Sequence, residues 1–196
     1  GIRILPFSII VGDQSYVERQ DFTPDEFYKI LASSPKIPST AQYTSIQFMS
    51  LYEELLRDGY TDVIYTSINA KASSTHGNAK MARKQFYEEH PEARPGGRRE
   101  MEIYIVDSQT YTLGYGYPVV EAAKKAEKGG SPGEIVAYLE DWANCCRVFF
   151  VPYSLEFVRK SGRVSCAAAF VGEMMGLKPI ISFEEGEAVT RAKVRG

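Results

Sequence analysis

Val63-Ile64-Tyr65-Thr66-Ser67-Ile68-Asn69-Ala70-Lys71-Ala72-Ser73-Ser74-Thr75 runs from a strand into a small polar loop. The β-branched and aromatic residues from Val63 to Ile68 suit a pleated, packed surface. Lys71 to Thr75 offers hydroxyls and no large apolar side chain, and it leads into a segment that reads as a helix carrying Met81 and Phe86. Strand, short loop and helix in that order form the unit of a helix-covered parallel sheet. Ligands of such sheets bind beyond the carboxyl ends of the strands, which is where this loop falls.

The same alternation extends in both directions. Upstream, Ile2 to Val11 reads as a strand, bulged or on an edge because Pro6 has no N–H to give a ladder. Gly12-Asp13 turns the chain, and Thr23-Pro24-Asp25-Glu26 caps a helix whose inner face is Phe27, Ile30 and Leu31. Ser33 to Gln42, with Pro35 and Pro38, is expected to be a loop. Thr44 and Gln47 frame a second capping box ahead of Phe48, Leu51, Tyr52 and Leu55. Downstream, Glu88 to Glu100 is expected to be a surface loop, and Met101 to Val106 alternates as a strand. Helices follow from Gly114 to Lys128 and from the Ser131 cap to Cys145. Val148 to Val151 is a strand, a short helix from Ser154 breaks at Gly162, and Ser165 to Met175 is helical. Ile180 to Phe183 and Ala188 to Val194 flank Glu185-Gly186, a hairpin signal.

The expected architecture is a three-layer α/β/α domain with a mostly parallel sheet over residues 1–146. Residues 147–196 begin a second α/β domain. About 50 residues bury too little surface to stand alone, so this second unit is expected to be truncated. A start at Gly1 rather than Met and an end without a closing element at Val194-Arg195-Gly196 fit a piece of a longer chain.

Composition narrows the function. The chain has 196 residues, 44% hydrophobic and 24% charged, with a formal net charge of −2, which fits a globular protein and not a basic nucleic-acid binder. No apolar run approaches the roughly 18 residues of a membrane span. Adjacent Cys145 and Cys146 make a poor disulfide, and a third, Cys166, leaves the count odd, so a reducing cytoplasm is expected. His76 and His90 have no partner at zinc-ligand spacing, so no metal site is expected.

Two hydroxyl-rich loops are the candidate site. One is Pro38-Ser39-Thr40-Ala41-Gln42 and the other Lys71-Ala72-Ser73-Ser74-Thr75. The second opens a helix, whose free N–H groups favour an anion, so together they can hold a carboxylate or phosphate without an ion pair. Ser and Thr at such places also serve as plain caps and turn formers. His76 follows Ser73 by three residues, which leaves open a hydrolase or transferase with Ser73 as nucleophile and His76 as base, although no orienting acid is evident nearby. Leu113-Gly114-Tyr115-Gly116 has Gly-x-Gly without a third Gly and reads as close packing rather than a nucleotide site. In Ser161-Gly162-Arg163-Val164-Ser165 an Arg sits in a turn, able to present its fork to an anion. Arg94, Arg98 and Arg99 form a basic loop expected to be solvated. The small and flexible residues of Ser165 to Met175 either pack against a sheet or leave room for a lipid.

The ordered motifs resemble the DegV family, which includes the fatty-acid-binding subunits of bacterial fatty-acid kinase. Leu5-Pro6 with Gly12-Asp13, Asp21 to Tyr28, Ile37 to Gln42, and Tyr52-Glu53-Glu54-Leu55 with Gly59-Tyr60 and Asp62 carry the first half of the likeness. Val106-Asp107-Ser108, Gly162-Arg163-Val164-Ser165, Leu177-Lys178-Pro179-Ile180 and Lys193 to Gly196 carry the rest. The resemblance implies two α/β domains enclosing a long-chain fatty acid, no cofactor, no catalysis within this chain, and a fatty-acid kinase catalytic subunit as partner. It places the carboxylate on Thr40 and Ser73, flanked by Ser39 and Ser74, with Arg163 and Arg195 toward the head-group end and the kinase. It also implies that the family's first strand precedes Gly1 and that most of the second domain follows Gly196. Ala41, Tyr43, Ser74 and His76 depart from the family pattern at the Ser, Pro, Gly and Tyr positions of these loops.

Overall fold

The structure, a computed structural model, describes residues 1–152, 154, 155, 158 and 177–195. Its centre is one parallel pair of strands, β4 (Asp62–Ser67) and β5 (Glu102–Asp107), in register from Asp62 opposite Glu102 to Ser67 opposite Asp107. Alternation decides what each face meets. Val63, Tyr65, Ile103 and Ile105 turn to one side, where α2 (Ser45–Arg57) and α3 (Thr75–Glu89) bury Phe48, Tyr52, Leu55, Ala79, Ala82 and Phe86 against them. Ile64 and Val106 turn to the other side, where α4 (Leu113–Glu127) and α5 (Pro132–Cys145) supply Ala122, Ile135 and Leu139. The three expected layers are therefore present around these strands.

The expectation of a mostly parallel sheet is corrected. β1 (Ser8–Val11) pairs antiparallel with both β2 (Gln14–Val17) and β3 (Ser39–Ala41), and β6 (Phe149–Phe150), β7 (Leu177–Glu184) and β8 (Glu187–Arg195) form a second antiparallel set. For β1–β2 and β7–β8 the connections explain the direction. Two residues, Gly12-Asp13 or Glu185-Gly186, reverse the chain, whereas a parallel crossover takes about a dozen. Glu185 and Gly186 both have positive φ, 48° and 79°, the twist-matched geometry of a tight hairpin. The expected loop from Ser33 to Gln42 contains β3. The expected strand from Ile2 shrinks to Ser8–Val11, because the chain before it lies along α2: Arg3 bridges Glu54 and Asp58, and Leu5 packs on the α2–α3 core.

The capping boxes form as expected. Thr23, Thr44 and Ser131 each accept from the backbone three residues on, and Glu26, Gln47 and Glu134 reach back. The loop from Glu88 to Glu100 is less solvated than its composition suggests. It holds a helical turn at Pro91–Ala93 with Ala93 fully buried, and Arg99 donates to the Leu56 carbonyl at the end of α2. Of the close glycine pair, Gly114 is the one under constraint: a Cβ there would lie 2.7 Å from Thr110 Oγ1 and 2.9 Å from Val148, while Gly116 faces open space. The short helix at Ser154, the Gly162 break and the Ser165 to Met175 helix fall largely or wholly outside the described residues.

Pro118 inside α4 has no N–H for the carbonyl four residues back, which is that of Gly114. The indole of Trp142 on α5 supplies the missing donor, Nε1 to the Gly114 oxygen at 2.7 Å, while its ring packs between Tyr117 and Tyr138. Trp142→Phe keeps the ring contacts and removes the donor. It is expected to cost about 1–3 kcal/mol, the penalty of an unsatisfied buried carbonyl. Urea unfolding followed by far-ultraviolet circular dichroism checks this; an unchanged midpoint refutes the pairing.

Candidate functional site

The carboxyl ends of β4 and β5 carry a polar layer in an otherwise apolar interior. Ser67, Asn69, Thr75, His76, Ser108 and Thr110 are all less than a tenth exposed. The loop between β4 and α3 is held there by its backbone. Asp107 accepts from the N–H groups of Ala70 and Gln109, both at 3.0 Å, and so ties the ends of the two strands together. Asn69 closes the turn by accepting from the N–H of Lys71, and its own N–H donates to the Thr110 carbonyl.

Asn69 also reaches the second sheet. Its Nδ2 donates to the Gly186 carbonyl at 2.6 Å and to the Tyr111 hydroxyl at 3.0 Å. The β7–β8 turn thus sits on this loop, reinforced by Lys71 with Glu187 and by the rings of Tyr111 and Phe183, 4.3 Å apart. Gly186 fits closely, since a Cβ there would lie 2.7 Å from Asn69 Oδ1.

Ser73, half-buried, accepts from the N–H of Thr75 and shares a hydrogen bond of 2.8 Å with the Thr75 hydroxyl. Ser74 is the N-cap of α3, but its side chain makes no capping bond and is exposed. Ser39 and Thr40 stand exposed on β3, opposite Ile10 and Ile9. Their strand leads to Tyr43, whose carbonyl accepts from Asn78 in the first turns of α3 and whose ring meets Phe48 edge-on. The β4–α3 loop and Tyr43, three residues after Thr40, are therefore tied to the same end of α3, while β3 itself is held by β1. Arg195 is exposed at the end of β8, and Arg163 lies outside the described residues. A groove of about 200 Å³ opens between the hairpin turn and the end of α5, lined by Gln109, Asn144, Arg147 and Glu185 among others, and Ser39, Thr40, Ser73 and Ser74 take no part in it.

The pairing of Ser73 with His76 is not the one the structure makes. His76 Nδ1 lies 3.0 Å from Ser67 Oγ, while Ser73 is engaged by Thr75. Ser67, at the end of a strand, gave no sequence sign of this role; only its period-2 position in β4 could have pointed to it. Asn69 was missed in the same way, although Asn before a small polar loop is an ordinary turn signal. Among the described residues no group of three His, Cys, Asp or Glu could hold a metal ion, and no helix is long and apolar enough to cross a membrane.

Burial, then the Lys80 ammonium, push the His76 imidazole below its ordinary value, with Asp107 opposing them. The folded chain then binds fewer protons than the unfolded one below the unfolded value of about 6.5. The unfolded state takes up protons first, so this contribution is complete above that value and is lost as the pH falls toward the folded one. Lowering the pH from about 7.5 to about 5.5 is expected to reduce the urea midpoint more in the wild type than in His76→Gln. Equal losses in the two proteins refute it.

A family model described as an uncharacterised protein of the DegV family matches residues 1–196. A curated DegV domain-containing protein of Clostridium perfringens is 31% identical over 195 residues, covering 100% of this chain and 65% of that protein. Among solved structures, one described as fatty acid binding of a DegV family protein from Thermus thermophilus aligns with a TM-score of 0.81 at 29% identity, over 100% of this chain and 65% of that one. A fatty acid binding DegV family protein from Streptococcus agalactiae aligns with a TM-score of 0.83 at 28% identity, over 99% and 65%. The chain spans about 65% of the length of the curated relatives it matches.

Proposed function

The chain belongs to the DegV family, and from that premise we propose that its protein binds a long-chain fatty acid, with the head group held by Thr40 and Ser73 and the tail buried in the protein. The observation that supports this reading is that the β4–α3 loop and Tyr43, which follows β3 and its Thr40, are tied to one end of α3. The fatty-acid binding stated for the Thermus thermophilus and Streptococcus agalactiae proteins supports it.

The energetics suit this division of labour. Each buried CH₂ contributes roughly 0.8 kcal/mol, so a tail of about 16 carbons gives on the order of 12 kcal/mol before association costs of about 4–15 kcal/mol. The tail supplies affinity and the hydroxyls supply orientation. Hydroxyls donating to a carboxylate form charge-assisted bonds, roughly twice as strong as neutral ones. Ser39 and Ser74 flank the two donors. Residues 147–196 would begin the unit that encloses the tail, with Arg163 and Arg195 toward the head-group end.

The product of binding is a presented carboxylate. A separate kinase subunit would bring nucleotide and metal and phosphorylate it, so no bond is broken within this chain. A reducing compartment, the cytoplasm, is the proposed setting.

In the full-length protein, Thr40→Val combined with Ser73→Ala is expected to weaken oleate binding at least about tenfold, the equivalent of about 1.4 kcal/mol, while leaving the melting temperature without ligand within a few degrees. A fluorescent fatty-acid displacement assay reads the dissociation constant, and an unchanged value overturns these two donors. Denaturing extraction with mass spectrometry of the purified wild type is expected to release a fatty acid carried from the host.

A further inference from the structure

The buried Ser67–His76 pair is a feature that fatty-acid capture by Thr40 and Ser73 does not use. His76 is 8% exposed and Ser67 2%, and the two meet at the mouth of α3, on the helix that Ser73 and Thr75 open. Resting on the fatty-acid reading, we propose that His76, held by Ser67, is a positioning residue of the head-group site that takes up a proton when a carboxylate binds.

The Ser67 hydroxyl makes this possible because it has two partners. It lies 3.0 Å from His76 Nδ1 and 3.4 Å from the Val106 carbonyl oxygen. When the imidazole is neutral, Ser67 can donate to Nδ1. When Nδ1 carries a proton, Ser67 can accept from it and donate instead to Val106. Either protonation state of the ring therefore keeps a partner, and no buried polar atom is abandoned on the change.

What disfavours the charged ring in the free protein is burial, together with Lys80 one turn along the same helix; Asp107 at the end of β5 acts in the other direction. β4 contributes the uncharged Ser67. Asp107 is already committed to the N–H groups of Ala70 and Gln109. A fatty-acid carboxylate at Ser73 adds a second anion to the mouth of the helix and shifts the balance toward imidazolium. The proton comes from bulk water and adds to the ring lone pair; no bond of the ligand forms or breaks. Binding and protonation then favour each other by the same factor.

The test uses the full-length protein with oleate as probe and His90→Gln as background, which leaves His76 as this segment's one imidazole. The His76 ring is assigned by comparison with His76→Gln, and its titration is followed by nuclear magnetic resonance with and without oleate. The midpoint is expected to rise on loading, and each unit of rise should tighten oleate binding by up to about tenfold between pH 8 and pH 6, relative to His76→Gln. The His76→Gln profile carries any pH dependence of oleate itself, so the comparison isolates the ring. Ser67→Ala is expected to shrink the difference between loaded and free midpoints. Where His76→Gln fails to fold, the wild-type midpoints decide alone. Oleate binding that depends on Thr40 and Ser73 with an unmoved His76 midpoint overturns this inference and leaves the fatty-acid reading standing. Absence of oleate binding at every pH overturns both.

Discussion

The carboxamide of Asn69, 1% exposed, holds three parts of the chain together. Its oxygen accepts from Lys71, which sets the turn after β4; its nitrogen donates to Tyr111 after β5 and to Gly186 in the β7–β8 turn. A buried amide is costly unless it is paired, so this residue specifies an arrangement rather than merely filling space. The fit is tight on the other side as well. Gly186 has a φ of 79° and no room for a Cβ, so the approach of the hairpin depends on a residue without a side chain. Asn69 joins the β4–α3 loop and the hairpin directly, and the Lys71–Glu187 pair and the Tyr111–Phe183 contact reinforce the same junction.

That loop then inherits its character from a contrast between layers. Below it, strands and helices share an apolar core in which Phe48 meets Tyr43, Tyr52 and Tyr65. At the strand ends the same packing meets hydroxyls, amides and one imidazole, most of them hydrogen-bonded, while the buried Thr110 hydroxyl is left without a partner. Asp107 is the acid of this layer, and one of its oxygens accepts from two backbone N–H groups. Its two backbone donors hold the turn at Ala70 and the start of the β5–α4 loop, where Gln109 and Thr112 take positive φ values of 54° and 52°. Backbone held in such conformations persists only where surrounding bonds over-determine it. The polar layer is thus the scaffold of the loops.

Signals confined to a few residues were legible in the sequence. The capping boxes at Thr44 and Ser131, the helical face of Phe48, Tyr52 and Leu55, and the Glu185-Gly186 turn all depend on neighbours within one turn of chain. The polar loop between β4 and α3 was legible too, because small hydroxyl residues ahead of a helix are ordinary turn and cap formers. What escaped depends on distance. β3 is three residues in a stretch with two prolines, and it exists because β1 offers an edge. Asn69 and Gly186 are 117 residues apart. Ser67 faces His76 only because the chain folds back across a loop, so proximity in sequence pointed instead to Ser73. Trp142 answers a vacancy that Pro118 creates on another helix, a relation no periodicity contains.

Under the proposed carboxylate binding, hydroxyls and an imidazole at this place have a physical logic that a lysine or arginine would not satisfy. A permanent cation beside Asn69 and Thr75 would be desolvated whenever the ligand was absent, and the protein would have to bind it to a second acid simply to fold. A serine or threonine asks for nothing comparable, because its hydroxyl can turn to a neighbour, as Ser73 turns to Thr75. The imidazole occupies the middle ground. It is the side chain whose charge changes near neutral pH, so it can be uncharged in an empty interior and charged beside an anion. Lys80 and burial bias His76 toward the first state, and a partner able to donate or accept leaves the second within reach. A site assembled this way stays stable when vacant and becomes more polar only in response to what enters it.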